Sequence, residues 1–145
     1  MPYNEGSGVL VGENLVLTAA HVLIPNSKAK PTEIYIIPGG DLKTKPFGST
    51  LATKVIVPTA YKPLSRLSNG EIDNKSVDFE NDFAVVVTKH NIGRVHPDKP
   101  EITGAGFWGQ GTEYYDQLGT TIGALEDWRA GNYKVNICGY PRLKG

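Results

Sequence analysis

Glycine and proline constrain this chain more than any other feature. Its 145 residues include 17 Gly and 10 Pro, spread from end to end rather than gathered in one linker. Glycine loosens the backbone and proline removes a ladder donor, so long uninterrupted elements have little room. The apolar residues lie between these breaks in short runs. "GVLVGENLVLT" reads as two strands across a Gly-Glu-Asn turn. "EIYIIPGG" reads as a strand stopped by Pro38, and "LATKVIVP" as an alternating strand stopped by Pro58. "YKVNICGYP" is one more strand, stopped by Gly139 and Pro141. "DFAVVVTK" is a continuous apolar run, as expected of a strand covered on both faces. "TAAHVL" has room for one helical turn. The polar stretches 59–81 and 88–101 read as loops. The pattern predicts an all-β fold, barrel or sandwich.

Composition then narrows the function classes. The 15 Lys+Arg and 15 Asp+Glu cancel, which gives no charge excess for nucleic acid or an anionic membrane. No apolar run approaches the roughly 20 residues that span a bilayer. The opening "MPYNEGSG" lacks a basic segment followed by an apolar one, so no signal peptide is visible. A mature or truncated secreted protein would look the same. Cys138 is the only cysteine, so the chain forms no internal disulfide. It falls inside a predicted strand and reads as a small apolar residue rather than a catalytic thiol.

Two polar residues at strand ends stand out. His21 follows an apolar run and two alanines in "NLVLTAAHVL". One reading is a histidine that caps a strand by bonding a backbone carbonyl. The other is a general base, which needs rigid support, an open path to substrate and an acceptor on its second ring nitrogen. The strand end gives the support, and Ala19 and Ala20 leave the imidazole room. In "DFENDFAVVV", Asp82 opens the most apolar strand of the chain. A carboxylate there is costly unless paired or hydrogen-bonded. It is either a strand-start residue bonding its own backbone or the partner of His21. Its neighbours Asp78, Glu80 and Asn81 read as solvated loop, without the spacing of a calcium loop.

"GSGVLVGENLVLTAAHV" followed by "NDFAVVV" resembles the trypsin-like serine endopeptidases. In that superfamily Thr-Ala-Ala-His carries the catalytic base, and an Asp opening an apolar strand orients it. "IIPGG", "VIVPTAY" and "ICGYP" look most like the bacterial glutamyl-endopeptidase branch. The resemblance runs from about Ser7 to Pro141. It implies two antiparallel β-barrels with the active site between them. His21 would be general base and acid, Asp82 its orienting acid, and the substrate a polypeptide. It implies no cofactor and no metal, and a secreted or cell-envelope location.

The family's nucleophile is a serine in a Gly-x-Ser-Gly setting, after the Gly-Tyr-Pro strand. All six serines here, Ser7, Ser27, Ser49, Ser65, Ser68 and Ser76, precede Asp82. Ser7 in "EGSGV" mimics the signature but comes in the wrong order along the chain. The expectation is therefore a fragment without its nucleophile or complete oxyanion hole. Residues 1–103 would form the first barrel, with its N-terminal strand partly missing. Residues 104–145 would form the linker and opening strands of an incomplete second barrel. Val135, Ile137 and Tyr140, with Trp108 and Trp128, would then be left uncovered and favour self-association.

Other signals are weaker. His90 and His96 lack a third ligand at metal spacing and read as loop histidines. "GAGFWGQG" has no strand–turn–helix context, so it does not read as a phosphate loop. Two rival functions share the motifs. An HtrA-like quality-control protease would carry a peptide-binding domain after position 145. A non-catalytic trypsin-like binding module would lack the serine, although the intact His21 and Asp82 argue against it.

Overall fold

The structure is a computed structural model, and it describes residues 5–24, 31–41, 43–108, 110 and 139–140. The described residues are nearly all strand, turn and loop, and every strand pairing among them is antiparallel. Strands β1 (Gly8–Gly12) and β2 (Leu15–Thr18) form the hairpin expected around Glu13 and Asn14. A single helical turn, α1 (Ala20–Leu23), follows at once. β3 (Tyr35–Ile36), β4 (Thr50–Ile56) and β5 (Ala84–Thr88) complete a five-stranded sheet in the order β1-β2-β5-β4-β3. In the β3–β4 connection, Asp41 accepts the backbone N–H groups of Lys43 and Thr44 at 2.7 and 2.6 Å. Those two bonds hold its carboxyl below the ordinary carboxylate range.

β5 sits at the centre of the sheet, paired with β2 on one side and β4 on the other. Its run of three valines satisfies a strand that must pack beside two others. Ala84, Val86 and Thr88 are buried, while Val85 and Val87 are partly exposed. The strand therefore has one covered face and one half-open face, where sequence led one to expect two covered faces. The core is Val16, Ala20, Leu23, Ala84 and Val86, flanked by Leu10, Ile36, Val55 and Tyr61 among others. Thr53 is the extra residue of a bulge in β4, and its hydroxyl donates to the Val87 carbonyl at 3.3 Å.

The stretch 88–101, expected as loop, contains a second sheet. β6 (Val95–His96) and β7 (Lys99–Thr103) pair across Pro97 and Asp98. β6 has only two residues and β7 is exposed throughout, so no hydrophobic alternation marked either one. His96 is thus a strand residue and 6% exposed rather than a loop histidine. Its Nδ1 accepts the Asp98 backbone N–H at 3.1 Å. His90 does lie in a turn, where its backbone N–H donates to the Thr50 hydroxyl at 3.2 Å. The expected second-barrel strand around Cys138, with Trp128, Val135 and Ile137, lies outside the described residues. Among the described residues no helix is long and apolar enough to cross a membrane.

Candidate functional site

The β2–β5 register builds the site. Thr18 stands opposite Ala84. Continued two residues further, that register would set Ala20 opposite Asp82. The chain leaves the ladder at Ala19, which is extended, and turns into α1. Ala20 and Ala84 are both completely buried, so the turn lies close against the head of β5. A larger side chain at either position would hold the turn and strand apart. Gly6, just before β1, lies close to the same turn. A Cβ at Gly6 would collide with the side chain of Val22.

This packing brings His21 and Asp82 together. The Asp82 carboxylate uses both oxygens on one residue. Oδ1 accepts the His21 backbone N–H at 2.8 Å, and Oδ2 lies 2.6 Å from His21 Nδ1. Two contacts to one carboxylate fix the ring plane as well as its distance. Hydrogen bonds to a charged acceptor are each worth about 1.5–3 kcal/mol net. An ionised carboxylate can only accept, so Nδ1 carries the proton in the neutral ring and Nε2 keeps its lone pair. The His21 side chain is 50% exposed and that of Asp82 is 20% exposed. The acceptor is thus sheltered while the ring edge stays open to solvent.

The loop before Asp82 is more ordered than its polar sequence suggested. Asp78 and Asn81 are half-buried, and only Glu80 is exposed as expected. The Asp78 carboxylate accepts the backbone N–H groups of Lys62 at 3.2 Å and of Asn81 at 3.3 Å, and it also takes the Asn81 side-chain amide. Tyr61 packs on the core and its hydroxyl donates to the Ile24 carbonyl at 3.1 Å. Burial and the nearby charges of Asp82 and Asp78 push its phenol above the ordinary value of 10.0. Sequence reasoning met Tyr61 only as the last residue of "VIVPTAY" and gave it no role.

The other candidates fall elsewhere. Ser7 lies at the β1 end, where its carbonyl accepts the Thr18 hydroxyl at 2.8 Å and its Oγ accepts the Tyr140 N–H at 3.4 Å. The backbone N–H of Trp108 donates to the Leu10 carbonyl at 2.8 Å, so the segment after β7 meets β1 there. No group of three or more His, Cys, Asp or Glu among the described residues could hold a metal ion. Cys138 lies outside the described residues.

No protein-family model matches the chain, and no curated protein matches it. Among solved structures the chain is similar to one described as Glu endopeptidase in complex with MPD. The likeness has 25% sequence identity and a TM-score of 0.45. It covers 65% of this chain and 46% of that one, so this chain spans about half of the solved protein's length. The doubly bonded His21–Asp82 pair, rather than this partial likeness, is the ground for a functional reading.

Proposed function

We propose that this chain is the His- and Asp-bearing portion of a serine endopeptidase. One observation carries the reading. The Asp82 carboxylate accepts the backbone N–H of His21 and lies 2.6 Å from its Nδ1, on a side chain that is half exposed, which supports Nε2 as the base. A strand-capping histidine would instead bond a carbonyl, and a turn-forming Asp82 would bond its own backbone. In the proposed mechanism Nε2 takes the proton of a serine hydroxyl as that oxygen attacks the peptide carbonyl. His21 then gives the proton to the leaving amine. Water attacks the acyl-enzyme in a second round of the same proton transfers. Asp82 keeps the tautomer correct and stabilises the imidazolium. In this reading residues 1–103 form the first barrel and 104–145 lead into a second, whose later strands supply the serine and its oxyanion hole. The substrate is a polypeptide met in a secreted or cell-envelope setting, and the reaction needs no cofactor.

The test uses the sequence that follows Gly145 in the reading frame. Protein extended with it should react with a serine-directed fluorophosphonate and hydrolyse peptides. The change Asp82→Asn should lower kcat by about 10⁴, because the amide can donate to Nδ1 and favour the wrong tautomer. The 145-residue chain alone should give no turnover above background. Full activity in extended Asp82→Asn protein, or turnover by the short chain that ends on alkylation of Cys138, would contradict the proposal.

A further inference from the structure

α1 has only four residues. Fixing one helical turn is unfavourable in isolation, since several dihedrals are ordered for a single hydrogen bond. No side chain caps its N-terminus. Yet this turn carries His21, and an ångström of drift would break a 2.6 Å contact. Burial of Ala20 and Leu23 seats the turn on the core, and the loop that delivers Asp82 must be held to it as well.

We propose that the dipeptide Tyr61–Lys62 is that clasp, a positioning element that sets the spacing between His21 and Asp82. One arm is the Tyr61 hydroxyl, which donates to the carbonyl of Ile24, the residue just after α1. A carbonyl at a helix C-terminus has no partner within the helix, so this bond both satisfies it and anchors the turn. The other arm is the Lys62 N–H, which donates to Asp78. Asp78 in turn holds the backbone and side chain of Asn81, the residue before Asp82. Adjacent residues thus grip the turn bearing the base and the loop bearing the acid. The Tyr61 ring packs against the core, which gives the clasp a fixed base. The raised phenol keeps the hydroxyl a donor throughout the neutral range.

This inference rests on the reading of His21 and Asp82 as a working pair, and one experiment separates the two. Nitrogen-15 shifts of the His21 ring give the ratio of the Nδ1–H to the Nε2–H tautomer. Amide hydrogen exchange in β2, β4 and β5 reports the sheet. In wild-type chain the Nδ1–H form should dominate. Tyr61→Phe keeps the ring and removes one arm, and Asp78→Ala removes the other. Each should lower the ratio by about 2- to 10-fold, the range expected from one lost hydrogen bond, while sheet protection stays within about twofold. An unchanged ratio in both variants would overturn the clasp and leave the pair standing. An equal loss of protection in all three strands would also overturn it, assigning Tyr61 to the core alone. A wild-type ratio that favours Nε2–H would instead overturn the pair itself.

Discussion

The five-stranded sheet and the β6–β7 hairpin are both antiparallel, but they are held in different ways. The sheet buries Val16, Ala84 and Val86 along two adjacent strands, with Ala20 and Leu23 of α1 set on top. The hairpin exposes all of β7, and the buried side chains near it are Ile92 and His96. Backbone bonds do the rest: Gly93 N–H to the Glu13 carbonyl at 2.9 Å, Gly104 N–H to Arg94 at 2.7 Å and Ala105 N–H to Ile92 at 2.9 Å. The Arg94–Glu13 ion pair adds an exposed contact between the same segments, worth little by itself. Burial specifies register in the sheet, where a slip by one residue would turn every valine of β5 over. That fixed register is what allows a carboxylate at the head of β5 to meet a ring at the end of β2.

The contrast breaks most sharply at Ile92. It is completely buried, so Ile92→Ala should destabilise the chain by about 2–5 kcal/mol. Hydrogen exchange should show β6 and β7 losing protection before β2 and β5. Equal loss in both regions would mean that hairpin and sheet form one unit. Val86→Ala comes next, at about 2–3 kcal/mol for two methyl groups and the cavity they leave. Denaturant titration should show the loss, and exchange should place it in β2, β4 and β5 together. Ile102→Ala in exposed β7 should change stability by less than about 0.5 kcal/mol, which is the control for both.

The sheet was legible in sequence because its strands carry their own signals. The valines of β5, the alternation in β4 and the Gly-Glu-Asn turn of β1–β2 each suffice locally. The pairing of His21 with Asp82 was legible because a carboxylate at the mouth of an apolar strand needs a partner. β6 and β7 were not legible, since Val95 and Ile102 are the only large aliphatic residues in a two-residue strand and a fully exposed one. The clasp was not legible either. Tyr61 acts on a backbone carbonyl and Asp78 on the backbone N–H of Lys62, and neither partner leaves a mark on residue type; only the Asp78–Asn81 amide contact does. Only a fold brings Ile24, Tyr61 and Asp78 together.

Smaller effects follow pH. The Tyr61 phenol is raised in the folded chain. Its contribution is complete below the unfolded value of 10.0 and is lost as pH rises through the folded value. The His21 tautomer ratio should therefore stay flat from neutral pH to about 10 and fall only above it. Asp41 behaves in the opposite sense. Its carboxyl is lowered, so its contribution is complete above the ordinary 3.8 and is lost as pH falls through the folded value. Acid titration followed at the Lys43 and Thr44 amides should show that exposed turn loosening without change in β5.

The central claim is that Asp82 fixes His21 as an Nδ1–H tautomer with Nε2 free. Neutral imidazole in water favours the opposite tautomer. The most direct measurement is the nitrogen-15 spectrum of the His21 ring, assigned with a His21→Gln variant, at a pH where the ring is neutral. The account predicts that Nδ1–H dominates in the wild-type chain and that Asp82→Asn shifts the ring toward Nε2–H. A wild-type ring already in the Nε2–H form, unaffected by Asp82→Asn, would contradict it.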